Sequence, residues 1–139
     1  MKTIPAVLLT LSGAALWPST ASAQGAKPAT VEITSPRNGA TVTGPVLIKL
    51  AATGVRITPA TVEEPGTGHH HLFVDHDLTP ISDTIPKGKS GIIHLGRGQT
   101  EFQLDSLAPG PHRVIAVVAD WHHIPLHPLV ADTVTFTVK

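Results

Sequence analysis

The chain has 139 residues, in which ten lysines and arginines balance ten aspartates and glutamates, and it contains nine histidines. This balance argues against nucleic acid or an anionic membrane surface as a partner, because both call for an excess of basic side chains. The absence of cysteine excludes a disulfide framework and a lipid anchor attached through a cysteine.

The first 23 residues have the pattern of a secretory signal peptide. Lys2 provides a positive start, and residues 4–16 are apolar but shorter than the ~20 residues that a membrane-spanning helix needs. Ala21-Ser22-Ala23 then gives the small-x-small pattern that signal peptidase cuts. We therefore expect cleavage after Ala23, a periplasmic or secreted location, and no membrane insertion afterwards.

Beyond the signal peptide, apolar residues recur with a period of two, which is typical of half-buried strands. We expect a flexible lead-in over residues 24–30 and a single domain over residues 31–139. Turns rich in proline and glycine separate the strands, and no segment has sustained helical periodicity. The predicted strands are 30–34, 40–42, 46–52, 69–74, 92–95, 100–104, 113–119 and 132–138.

This pattern favours an all-β fold, an antiparallel β-sandwich of immunoglobulin-like or fibronectin-III-like type with about seven short strands. A small β-barrel would give a similar spacing of strands, so it stays open as an alternative.

Two histidine tracts stand out. "GHHH" opens the predicted strand 69–74, and "DWHHIPLH" lies between the last two predicted strands. In an immunoglobulin-like sandwich the third and sixth strands are antiparallel neighbours, so the start of one lies beside the end of the other. The two tracts are therefore predicted to meet at one end of the sheet.

Strand geometry divides the first tract. His69 and His71 project from the same face, ~6.6 Å apart at Cα, whereas His70 points the other way. Two such imidazoles can share one metal ion, because bonds from a metal to nitrogen are only ~2.0–2.1 Å long. The candidate ligands are His69, His71, His94, His122, His123 and His127, with His70 and Asp120 as residues that could orient a ligand ring.

The available ligand types restrict the ion. After signal cleavage the chain has no cysteine or methionine, so imidazole and carboxylate remain, and these favour Zn(II), Cu(II) or Ni(II) over Cu(I). Most imidazoles are neutral near pH 7 and able to bind metal. The leading hypothesis is an exported, monomeric, non-catalytic domain that binds Cu(II) or Zn(II) through its histidines.

Other interpretations stay open. The histidine-rich end could be a hydrogen-bonded polar rim, or an interaction module of the cell envelope that binds a glycan, an anion or a protein partner. A copper-dependent redox enzyme would need an open coordination position. We find no phosphate-binding loop and no nucleophile elbow, and hence no positive sign of catalysis. His76 and His112 are expected to have ordinary structural roles.

The segments "VEITSPRNGATVTGPV", "GHHHLFVD", "IIHLGRGQTEFQLD", "LAPGPHRV" and "HIPLHPLV" resemble a small exported bacterial family, the domain of unknown function numbered 4399. The resemblance covers nearly the whole mature chain, from Val31 to Lys139. It implies a single secreted β domain and supplies no reaction or ligand. It also implies one shared motif set, which comprises His69, His70, His71, His94, His123 and His127.

Overall fold

The computed structural model describes residues 27–139, and this part of the chain consists of nine β-strands joined by loops. The predicted signal peptide lies outside the described residues. Within residues 27–139 no helix has the length and apolar character needed to cross a membrane. The strands are β1 (Thr30–Ser35), β2 (Ala40–Val42), β3 (Val46–Thr53), β4 (Arg56–Ile57), β5 (Thr67–Val74), β6 (Ile92–Leu95), β7 (Glu101–Leu104), β8 (Gly110–Ala119) and β9 (Ala131–Val138).

All eight predicted strands are present, and the prediction of an all-β fold is confirmed. The prediction missed β4, which has two residues and therefore no readable alternation. It also started β8 three residues too late, because "GPH" was interpreted as part of a turn. In β9 the alternation is as predicted: Val134, Phe136 and Val138 are buried between exposed threonines.

The strands form two sheets. One has three strands in the order β1-β3-β7, and the other has the order β2-β9-β8-β5-β4, with β6 also paired to β5. Most strand pairs are antiparallel, but β2–β9 and β4–β5 are parallel. The prediction of a purely antiparallel arrangement is therefore wrong for these two pairs. Buried residues of both sheets form one core, which includes Ile48 and Leu50 on one side and Leu72 and Phe136 on the other. Burial of apolar surface between the sheets is the main force that holds them together.

The six-stranded sheet is also covered on its second face. Phe73 and Val117 project there and pack with Ile85, which comes from the long loop between β5 and β6. Ile85 is fully buried, and its backbone N–H donates to the carbonyl of His123 at 2.8 Å. As a result β5 is buried on both faces, and the histidines at its start are enclosed rather than exposed on an edge.

Candidate metal centre

Sheet register brings the two histidine tracts together. Strands β5 and β8 pair antiparallel, with His69 opposite Ala119 and His71 opposite Val117. The start of β5 therefore lies beside the end of β8, where the loop that carries His123 begins. The predicted meeting of the two tracts is confirmed.

Four histidines converge on the second face of this sheet, and we call them the four-histidine cluster: His69, His71, His94 and His123. Each offers one ring nitrogen, and these four atoms lie within 4.8 Å of one another. Nε2 of His69 is 3.0 Å from Nε2 of His71, and Nε2 of His94 is 3.1 Å from Nε2 of His123. Four nitrogen donors are thus gathered in a space that can hold one metal ion.

Three local features place the rings. Strand alternation puts His69 and His71 on one face, as predicted, and sheet register puts His94 of β6 directly opposite His71. His123 reaches the group from the loop after β8, with a backbone φ of 65°. A left-handed conformation is costly for a residue with a side chain, by ~1–2 kcal/mol, and such residues are concentrated at functional sites.

Asp120 shapes the loop that carries His123. Its Oδ1 accepts hydrogen bonds from the backbone N–H groups of His122 at 2.8 Å and Ile124 at 3.0 Å. The His123 N–H donates to the carbonyl of Asp120 at 2.9 Å, which closes the turn. Asp120 therefore acts on His123 through the backbone, whereas the sequence suggested that its carboxylate would orient a ring directly.

Burial keeps the cluster neutral. Desolvation, followed by the neighbouring His123 and His94, lowers the pKa of His69 from 6.5 to about 4. Desolvation, together with His69 and the other two rings, lowers the pKa of His71 to about 2. The pKa values of His94 and His123 are lowered as well, mainly by burial and then by the positive charge of Lys87. At neutral pH the four rings are therefore uncharged, and an uncharged imidazole has a lone pair on one of its two nitrogens, as metal binding requires.

The other candidate residues lie outside the cluster. His122 and His127 are exposed, and His127 lines a mainly apolar groove together with Pro28 and Val130. His70 is fully buried on the opposite face of β5, where its Nδ1 donates to the carbonyl of Gln99 at 3.0 Å. His70 thus supports the turn that follows β6, on the face of β5 opposite the cluster.

The chemistry of the cluster follows from its donors. Four imidazoles and no thiolate suit a borderline divalent ion such as zinc or copper. Four protein ligands also fill a tetrahedral coordination sphere, whereas catalytic zinc sites keep one position for water or substrate. The geometry is therefore that of a site that could hold one divalent ion.

All four histidines of the cluster are among the candidates named from the sequence, but a neighbouring loop was not recognised as part of the site. The loop between β5 and β6 contributes Ile85, and nothing in its proline- and glycine-containing sequence indicates that one isoleucine is fully buried. Its contact with His123 was therefore missed.

Comparison with solved structures shows similarity of fold. The endo-β-1,4-mannanase from Thermotoga petrophila is 16% identical over 85% of this chain, with a TM-score of 0.50. An engineered protein from a structural genomics consortium is 12% identical over 83% of this chain, with a TM-score of 0.51. This chain spans 21% of the length of each, so the likeness concerns one part of those larger proteins.

No curated protein sequence is significantly similar to this chain. A family model does match residues 48–139, about two thirds of the chain, and its description is "Domain of unknown function (DUF4399)". The match includes all four histidines of the cluster. The chain therefore belongs to the DUF4399 family.

Proposed function

We propose that this protein is an exported domain that binds Cu(II) or Zn(II) through the four-histidine cluster, to buffer, deliver or sense the ion without catalysing a reaction. The observation that carries the proposal is the convergence of four ring nitrogens within 4.8 Å of one another. Exposed histidines on a polar rim would be spread apart, with their nitrogens directed to water or to loop carbonyls.

The spacing of the nitrogens supports a shared ion. A tetrahedral ion with bonds of ~2.0–2.1 Å holds its nitrogen ligands about 3.3–3.4 Å apart. The two close pairs, at 3.0 and 3.1 Å, need to separate by only a few tenths of an ångström to reach that distance. The wider separations in the cluster, up to 4.8 Å, would have to shrink by up to ~1.4 Å, so the rings must also turn toward the ion.

The burial of the rings gives a second argument. His69 and His71 are at most 1% exposed, and within residues 27–139 Nδ1 of His71 has no hydrogen-bond partner. Burying polar groups with incomplete partners costs free energy, roughly 1–3 kcal/mol per group. A bound ion would offset part of this cost through its bonds to the Nε2 atoms that face one another, while Nδ1 of His71 would stay without a partner among the described residues.

The immunoglobulin-like or fibronectin-III-like assignment and the periplasmic or secreted location are parts of the same proposal. Antiparallel pairing of β5 with β8 and a core shared by two sheets support the first part, while the two parallel strand pairs depart from a purely antiparallel sandwich. The second rests on the signal pattern of residues 1–23.

A metal titration tests the function. The mature protein is purified without a histidine tag, stripped with a chelator, and titrated by calorimetry with Zn(II) and separately with Cu(II). We expect a stoichiometry of one ion per chain and sub-micromolar affinity. The double variant His69→Ala/His71→Ala is expected to lose binding, whereas His122→Ala, which removes an exposed histidine one residue from His123, keeps it.

Two results would contradict the proposal. One is the absence of any sub-micromolar site in the wild-type protein, and the other is full binding by the double variant. Loss of binding in His122→Ala alone would instead move the site to the exposed part of the second tract.

A further inference from the structure

The ring of His94 lies directly over Gly96, two residues further along the chain. A Cβ atom built on Gly96 would overlap Cε1 and Nε2 of that ring and would lie 3.0 Å from its Nδ1. Nε2 is the same atom that faces His123 across 3.1 Å. The space that a side chain at position 96 would take is therefore occupied by the His94 ring, including the nitrogen that faces His123.

The backbone at Gly96 is fixed by contacts on several sides. The carbonyl of Gly96 accepts a hydrogen bond from the N–H of Ala60 at 3.0 Å. The Arg97 N–H donates to Oε1 of Gln99 at 2.7 Å, and His70 donates to the carbonyl of Gln99. Leu95, immediately before Gly96, is fully buried. A clash at position 96 would therefore be relieved by the His94 ring, which is the free end of a side chain, and not by the turn.

Gly96 does not have the backbone conformation for which glycine is usually required. Gly98, in the same turn, has a φ of 77°, where any side chain is strained, but Gly96 does not have a positive φ. Alanine is thus compatible with the backbone φ at position 96, and the three nearest atoms that its Cβ would meet all belong to the His94 imidazole.

We propose that Gly96 is a positioning residue of the four-histidine cluster, and that its lack of a side chain is what allows the His94 imidazole to reach the other three rings. This inference rests on the proposed metal site and deepens it. It also gives a physical reason for the spacing His94-x-Gly96, in which a ligand and the glycine beneath it are two residues apart on the same face of the chain.

The test is the variant Gly96→Ala, alone and combined with His94→Ala. Metal-free Gly96→Ala is expected to unfold at nearly the same urea concentration as the wild type, because the ring can rotate away. Its Zn(II) affinity by calorimetry is expected to fall by about 10–100-fold, the effect typical of residues that orient a metal ligand. In the His94→Ala background the same substitution should change the affinity little, because no ring is left to displace.

Wild-type affinity in Gly96→Ala would overturn the inference and leave the metal site in place. An equal loss of affinity with and without His94 would also overturn it, since the effect would then come from the turn. If the wild-type protein binds neither Zn(II) nor Cu(II), the proposed function fails. The positioning role would still be decided in the metal-free protein, where Gly96→Ala should shift the imidazole nitrogen NMR signals of His94 and His123, and unchanged signals would refute it.

Discussion

The paired strands β5 and β8 have histidines at both ends, and the histidine pKa values are shifted in opposite directions at the two ends. At the start of β5 and the end of β8 lies the four-histidine cluster, in which burial lowers the pKa values and keeps the rings neutral. At the other end, His112 near the start of β8 contacts Asp75, which directly follows β5. We call this the His112–Asp75 pair.

In the pair, both ring nitrogens of His112 face oxygen acceptors. Nε2 is 2.7 Å from the carbonyl of Ala108, and Nδ1 is 2.6 Å from Oδ2 of Asp75. Only the imidazolium can donate from both nitrogens, and these two contacts raise the pKa of His112. The surroundings thus favour the neutral form of the ring at the cluster and the protonated form at His112. The groups around a histidine, and not its position in a strand, decide which form is favoured.

The largest expected effect is a loss of stability of the cluster end in acid, measured as the free energy of unfolding. The unfolded chain keeps the pKa of His69 near 6.5, while the folded metal-free protein holds it at about 4. As the pH falls from 6.5 to 4, the unfolded state takes up a proton that the folded state does not, so the free energy of unfolding falls, on the order of 3 kcal/mol from His69 alone. Urea unfolding with a chelator present, at pH 7 to 4, measures this loss.

The variant His69→Gln isolates the contribution of that residue. Its stability should fall by less than that of the wild type over the same pH range, whatever its absolute stability at pH 7. His122→Gln removes an exposed imidazole from the same end and should follow the wild-type curve. Parallel curves for His69→Gln and the wild type would show that burial of this ring does not disfavour its protonation.

Metal should raise the stability of the folded domain through the four-histidine cluster and not through the His112–Asp75 pair. An ion that binds only the folded state at about 100 times its Kd adds ~2.7 kcal/mol, which for a domain of this size raises Tm by roughly 10–20 °C. Thermal unfolding with Zn(II), and again after a chelator is added, measures the shift and its reversal. His112→Asn should keep the full shift, and His69→Ala/His71→Ala should lose it. A shift that survives in the double variant would place the binding elsewhere.

The loop that delivers His123 can be weakened without removing a ligand. Asp120→Ala removes the acceptor for two backbone N–H groups, so His123 loses support for its left-handed conformation. We expect Zn(II) affinity to fall by about 10–100-fold, or ~1.4–2.7 kcal/mol, as for other residues that hold a ligand in place. Asp75→Ala is the matched control at the other end and should leave Zn(II) affinity unchanged. Equal losses in the two variants would indicate a general loss of structure.

The sequence was sufficient for the parts of this fold and site that depend on period-two alternation. It predicted that His69 and His71 share a face, that His70 opposes them, and that the two tracts meet through antiparallel pairing of β5 with β8. The first two follow from strand alternation, which is independent of the details of packing. The third also needed the expected topology, in which the third and sixth strands of an immunoglobulin-like sandwich are neighbours. The same reasoning could not separate His123 from His122 and His127, because a loop has no fixed period, and here its course depends on Asp120 and on a contact with Ile85.

The position of His94 could not be predicted from the sequence because it depends on the register between β6 and β5. Its place opposite His71 is set by the pairing of β6 with β5, and a shift of one residue would have turned its side chain to the other face. The His112–Asp75 pair was missed for a related reason. It joins residues 37 positions apart, and neither has a neighbour in the sequence that marks it as a partner.

The smallest effect is expected at the His112–Asp75 pair, because Asp75 is 46% exposed and water screens the interaction. Burial alone would raise the pKa of Asp75, but the N–H of Arg113 and the ring of His112 lower it overall. The pair therefore contributes most between the unfolded pKa values of Asp75, 3.8, and His112, 6.5. Its contribution is lost as the pH rises through the raised pKa of His112, and also in strong acid.

His112→Asn should lower the free energy of unfolding in urea by ~0.5–1 kcal/mol at pH 5.5 and by less at pH 9. An equal cost at both values would mean that His112 stabilises the strand by packing on Phe136 and not by its charge.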